Sequence, residues 1–125
     1  MLQIKTYLSV SNIPDAGLGL FADQDISAGT CIWVTNRHID ILLPSLETIG
    51  LSEVAKTQIH NYAWWDKELD AWVLPGDNAR FMNHSNHPNC DDSYPNTTIA
   101  LVDIKRGDEI TVDYRTFHGE EEEYY

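Results

Sequence analysis

Cations are scarce in this chain. Its 125 residues hold 8 Lys and Arg against 20 Asp and Glu, a net charge of −12 at pH 7. Neutralising a phosphate backbone needs clustered Lys and Arg, so direct nucleic-acid binding is argued against. Cysteine is nearly absent, with Cys31 and Cys90 the two present. They could form one disulfide, but they make neither a disulfide framework nor a zinc spacing. No apolar run comes near the roughly 20 residues that span a bilayer. The start, Met1-Leu2-Gln3-Ile4-Lys5, lacks the basic and apolar regions of a signal peptide. A soluble intracellular protein with no membrane partner is expected.

What is present is globular. Apolar residues make up 42% and aromatics 10%, enough for one domain with its own core. An acidic surface would draw a basic, lysine-containing peptide, although acidity also serves solubility alone. No repeat occurs. Four adjacent acids, Glu120 to Glu123, followed by Tyr124 and Tyr125, read as a solvated tail over residues 118–125.

Periodicity predicts many short strands. Ile4 to Val10, Leu20 to Ala22, Thr30 to Thr35, Ala71 to Leu74, Thr97 to Asp103 and Glu109 to Tyr114 are rich in β-branched and aromatic residues. Turn chemistry separates them: Asn12 to Gly19, Ser27 to Gly29, Pro75 to Asp77 and Lys105 to Asp108. Leu51, Val54, Ala55, Ile59 and Tyr62 recur at helical spacing behind Ser52, a candidate N-cap. The pattern predicts a helix over 52–62, with a shorter helical turn near Ser45. The fold class is mainly β with a small helical insert.

Three stretches carry chemistry. Gly17-Leu18-Gly19 lets backbone approach a ligand with no Cβ in the way; read alone, a plain turn explains it too. Arg80-Phe81-Met82-Asn83-His84-Ser85-Asn86-His87-Pro88-Asn89-Cys90 is dense in donors and acceptors and reads as an ordered polar loop. His84, His87 and Cys90 are three apart, yet Pro88 breaks any helix that would align them on a metal. A Cys90–His nucleophile pair is a further alternative. Gly107 to Tyr114 is a turn entering a strand. Tyr114 by itself could be a core aromatic with its hydroxyl satisfied.

Taken in order, Gly-x-Gly, Arg-Phe-x-Asn-His-Ser-x-x-Pro-Asn and Glu-Ile-Thr-Val-Asp-Tyr resemble the SET domain of protein-lysine methyltransferases. Leu20-Phe21-Ala22, Ile26 to Thr30 and Arg106-Gly107-Asp108 are similar to that family as well. The resemblance covers residues 3 to 117. It implies a SET-domain, β-clip-like fold of small curved sheets. A C-terminal pseudoknot would bring the Asn-His-Ser and Asp-Tyr segments together. One domain would span residues 1–117, with a helical insert at about 38–72.

The resemblance also implies S-adenosylmethionine as cofactor and protein lysine methylation as activity. Gly17, Leu18 and Gly19 would approach its methionine part. Asn83 and His84 would hold its amino and adenine ends, with Phe81 and Phe117 beside it. Arg80 and Glu109 would form a structural polar pair next to the cofactor. Tyr114 would be the catalytic tyrosine, its hydroxyl beside the transferred methyl and the cofactor. Trp64, Trp65, Trp72 and Phe117 are candidates for the lysine-channel wall, although core packing would also explain each.

Two departures stand out. Asn86 replaces the family's usual Cys after Asn-His-Ser, and no Cys-rich segment follows. This is a minimal pattern without pre-SET or post-SET zinc segments, and no metal is expected. Phe117, His118, the acidic tail or a second subunit could then close the channel, so a homodimer is an open expectation. The rival class is a SET-like module that has lost catalysis and binds basic peptides. A third reading, a non-enzymatic β-rich domain, leaves the Asn-His-Ser and Asp-Tyr stretches unexplained.

Overall fold

The computed structural model describes residues 1–44, 50–94 and 96–114. Short strands dominate because β-branched and aromatic runs of three to five residues are cut by turns. β1 (Thr6–Val10) and β2 (Leu18–Ala22) form an antiparallel pair, with Tyr7 opposite Phe21 and the two rings stacked at 5.5 Å. β3 is Cys31–Val34, β4 Ile41–Leu43, β5 Trp64–Asp66 and β6 Ala71–Leu74. β7 is Asn83–His84, β8 Cys90–Asp91, β9 Thr97–Ala100 and β10 Thr111–Val112. Two three-stranded antiparallel sheets run in the orders β3-β9-β8 and β4-β6-β5.

Such small sheets are marginal alone, and a shared core joins them. Leu20, Ile32, Val73, Ile104, Ile110 and Val112, from different sheets and turns, are each no more than 1% exposed and belong to one cluster. β2 is covered on both sides. Its outer edge takes bonds from the returning chain: Ile110 N–H donates to Leu20 O, Ala22 N–H to Asp108 O, and Gly107 N–H to Ala22 O. This return sets Glu109 beside the Gly-x-Gly segment.

The expected meeting of the two motif segments is formed. β7 and β10 pair in parallel, Thr111 opposite Asn83 and Val112 opposite His84. Asn89 clamps the same strand: its Nδ2 donates to Glu109 O at 2.8 Å, and its Oδ1 accepts from Thr111 N–H at 2.9 Å.

The helix also forms. α1 spans Glu53–Tyr62, and Ser52 Oγ caps it by accepting from Ala55 N–H at 3.1 Å. Its apolar face differs from the expectation. None of its residues is buried, Val54 is 69% exposed, and only the Ala55 and Ile59 side of that face reaches half-burial. Nor is the 38–72 insert simply helical, since β4 and β5 lie within it and pair with β6. The helical turn expected near Ser45 lies outside the described residues.

Candidate active site

Glu109 organises one side of the site. It is 8% exposed, and both carboxylate oxygens are engaged. Oε2 accepts from Ser11 Oγ at 2.7 Å and from Asn83 Nδ2 at 3.2 Å, while Oε1 accepts from the Asn12 N–H at 2.8 Å. These donors stand in for the water that burial removes. The network ties the end of β1 to β7 and to the strand approaching β10.

Gly19 belongs to this network. A Cβ there would fall 2.4 Å from Glu109 Oε2 and 3.3 Å from Asn83 Nδ2. Its bare backbone makes room for a carboxylate of the protein, where the sequence suggested room for a cofactor. Gly17 is different. It takes φ +74°, a left-handed conformation natural to glycine, and nothing lies within 4 Å of where its Cβ would be.

Arg80 and Glu109 do not pair, and this corrects the expected polar pair. Arg80 Nη2 donates to Pro75 O at 3.1 Å, and the guanidinium lies 5.6 Å from the Tyr62 ring centroid. Neutral donors already fill Glu109, so no cation is needed there. Asn83 also donates from Nδ2 to Leu18 O at 3.0 Å. Both of its amide hydrogens are engaged, and Oδ1 remains an acceptor without a partner among the described residues.

A cleft of about 440 Å³ opens beside these groups. That size suits a cofactor-sized ligand. Gly17, Leu18, Arg80, Phe81 and Asn83, all expected at a cofactor site, line it, together with Asn61 and Tyr62 from the end of α1. A second cavity of about 20 Å³, near the room one water takes, shares Asn61, Tyr62 and Arg80 as wall. Met82, Val112, Asp92, Trp64 and Tyr114 also line it.

Tyr114 is fixed at both ends. Its hydroxyl donates to Met82 O at 2.9 Å, and its backbone N–H donates to His84 Nδ1 at 3.0 Å. An amide N–H can only donate, so His84 Nδ1 carries the lone pair. Nε2 is then the protonated nitrogen and donates to Asn86 Oδ1 at 3.1 Å. Asp113 Oδ1 also approaches Nδ1, at 3.6 Å. His84 lines neither cavity and acts from behind, as the residue that holds Tyr114.

Other expectations sort by location. Trp64 lines the narrow cavity, stacked edge-on against Trp33. Trp65 and Trp72 pack on each other in a separate small cluster and line neither cavity. Phe117 and His118 lie outside the described residues. Cys31 and Cys90 are free thiols. Cys90 is 1% exposed, and burial, then the charge of Asp92, pushes its thiol up to about 12. That removes it as a nucleophile. His87 is exposed on the turn, away from the buried Cys90. Among the described residues no group of three His, Cys, Asp or Glu could hold a metal ion.

Sequence reasoning missed Ser11, Asn12, Asn61 and Asp92. Ser11 and Asn12 sit in a loop whose partners are nearly a hundred residues away, so no local signal marks them.

The fold and site define a mainly β protein whose cofactor-sized cleft adjoins a narrow cavity bearing a phenol. The chain belongs to the SET domain family, whose model matches residues 17–115. Among solved structures it is similar to a candidate histone methyltransferase of Plasmodium falciparum, at 23% identity and TM-score 0.62. That match covers 90% of this chain and 95% of the other. It is also similar to a chain of the Chaetomium thermophilum Polycomb Repressive Complex 2 in an autoinhibited conformation bound to S-adenosylmethionine. Identity there is 22% and TM-score 0.64, over 91% of this chain but 15% of that one. An inhibitor-bound form of that complex matches at 20% identity and TM-score 0.64, again covering 91% and 15%. This chain thus spans nearly all of the first relative and about a seventh of the others. No helix among the described residues is long and apolar enough to cross a membrane.

Proposed function

We propose that this protein is an S-adenosylmethionine-dependent methyltransferase acting on lysine side chains of basic proteins, histone tails or similar segments. One observation carries the reading. Five of the residues expected to hold the cofactor, Gly17, Leu18, Arg80, Phe81 and Asn83, line the wide cleft, and the expected catalytic phenol lines a narrow cavity that shares a wall with it.

The cleft fits the cofactor in chemistry as well as size. Asn83 Oδ1, an acceptor without a partner among the described residues, would take the ammonium of its methionine part. Leu18 and Phe81 offer apolar surface for its adenosine. Bound there, S-adenosylmethionine supplies a methyl carbon made electrophilic by a sulfonium.

The chain's own residues address the harder half of the reaction. A free lysine has a pKa of about 10.4, so its neutral amine at pH 7 costs about 4.6 kcal/mol. A cavity this narrow strips water from the ammonium and disfavours it. Trp64 and Val112 supply apolar wall. Tyr114 donates its proton to Met82 O, which holds the phenol in one place on the cavity wall. A net charge of −12 draws basic segments toward the protein.

The test is transfer of a labelled methyl group from S-adenosylmethionine to basic proteins, with mass spectrometry of the marked residue. Label on lysine, and a turnover loss of about 100-fold or more in Tyr114→Phe with cofactor affinity kept, supports the reading. Calorimetry without heat from S-adenosylmethionine would overturn it and favour the non-catalytic peptide-binding module.

A further inference from the structure

Asp92 has no role in the site as described so far. It follows β8 and is 9% exposed. Thr98, itself fully buried on β9, donates its hydroxyl to Asp92 Oδ1. Oδ2 is enclosed and has no partner among the described residues. An acid left half-satisfied in a core is costly, and folds keep such a group rarely without a use. Asp92 lines the narrow cavity with Tyr114 and Met82.

We propose that Asp92 is the proton acceptor of the amine channel: it draws the target lysine in as an ammonium and removes one of its protons before methyl transfer. The proposal rests on the methyltransferase reading above. The proton passes from the lysine Nζ to Asp92 Oδ2, converting ammonium and carboxylate into neutral amine and neutral carboxylic acid. The amine lone pair so freed is the one that forms the new N–C bond. The acid returns its proton to water after the product leaves.

The surroundings suit the exchange. Burial, partly offset by the Thr98 hydroxyl and reinforced by the charge of Asp91, pushes the Asp92 carboxyl up to about 7. A neutral pair is favoured over a charged pair in a dry cavity. The other polar and titratable groups facing the cavity are Arg80, His60, Tyr62 and Tyr114, and Cys90 lies beside it in sequence with a protonated thiol. Arg80 is the guanidinium among these cavity-lining groups. It is held by Pro75 O and the Tyr62 ring and makes no ion pair with Asp92 among the described residues.

The decisive measurement is kcat/KM for labelled-methyl transfer against pH, in the wild type and in Asp92→Asn. The wild-type rate should rise to a plateau above about pH 7, where carboxylate and ammonium coexist. Asp92→Asn should be about 100-fold slower at pH 7.5. Its rate should keep climbing about tenfold per pH unit toward pH 10, because it must wait for free amine. S-adenosylmethionine affinity by calorimetry should be the same in both proteins. Parallel profiles would remove Asp92 from the reaction while leaving the methyltransferase reading intact. Absence of transfer by the wild type would instead end both.

A readout independent of turnover is the Asp92 side-chain carboxyl resonance by NMR. Adding n-butylammonium chloride, a truncated lysine side chain, should lower its titration midpoint, because a bound cation favours the carboxylate. A midpoint unmoved at high n-butylammonium overturns the proposal.

Discussion

Two buried acids lie in or beside this site, and the protein treats them differently. Glu109 is 8% exposed and Asp92 9%. Glu109 receives three hydrogen bonds from three separate donors. Asp92 receives one, and its second oxygen has none among the described residues. Water could satisfy either acid in the unfolded chain, so the difference is a property of the fold. The acid engaged at both oxygens joins segments far apart in sequence. The other lines a cavity, and its second oxygen has no partner among the described residues. Hydrogen-bond saturation therefore separates a structural carboxylate from a functional one where burial does not.

The largest expected effect breaks the Glu109 side. In Gly19→Ala the new Cβ would meet Glu109 Oε2 at 2.4 Å. A free carboxylate could swing aside, but this one is tethered at both oxygens. Overpacking and lost charged hydrogen bonds together should cost about 3–5 kcal/mol. Chemical denaturation should give that loss, and calorimetry should find S-adenosylmethionine binding abolished. A variant as stable as wild type would mean that Glu109 is not held in place.

Next comes a pair of neutralising substitutions with opposite signs. Glu109→Gln turns one acceptor into a donor among three donors and should destabilise by about 2 kcal/mol. Asp92→Asn should do the reverse above neutral pH. The folded Asp92 carboxyl sits near 7 against an ordinary 3.8. The folded state therefore holds this proton more tightly than the unfolded chain does. The stability so gained is full below pH 3.8 and is lost as pH rises through about 7. At pH 8 the wild type carries an enclosed charge that the amide lacks, so Asp92→Asn should be more stable by about 2–4 kcal/mol. At pH 4 the two should nearly coincide. Thermal unfolding at both pH values checks this. Equal signs for the two substitutions would erase the distinction between the acids.

The two acids also differ in how far the sequence exposes them. Glu109 falls inside a recognisable stretch, and its motif order with Asn83 and Gly-x-Gly ties it to those two segments. Ser52 as a cap and Ala71–Leu74 as a strand were legible because capping, a short apolar run and the Pro75-Gly76-Asp77 turn that closes it are local signals. β5, β7 and β8 are two or three residues long, too short for any period to register. Gly19 was legible as a close approach but not as to what approaches, since a bare Cα serves a ligand and a side chain alike. The Arg80–Glu109 pair failed for a related reason: opposite charges suggest pairing, yet neutral donors from a distant loop took the place first. Asp92 was silent. Its meaning depends on Thr98, Met82 and Tyr114 closing around it, and nothing in Cys-Asp-Asp-Ser announces that.

The smallest effect sharpens the comparison most, because it removes the one bond that Asp92 has. Thr98→Val keeps the shape of a fully buried side chain and deletes the hydroxyl that donates to Oδ1. That bond favours the charged form, so its loss leaves the carboxylate with no partner on either oxygen and raises its pKa further. One hydrogen bond to a charged group corresponds to about one pH unit. The rising limb of the wild-type pH–rate profile should therefore move up from about 7 by about one unit. S-adenosylmethionine affinity should stay unchanged, since Thr98 touches no part of the Glu109 network. A shift in cofactor affinity with the pH limb unmoved would tie Thr98 to the wrong acid. The predicted pattern would establish that the two carboxylates work independently, one holding the cleft and the other tuned by a single neighbour.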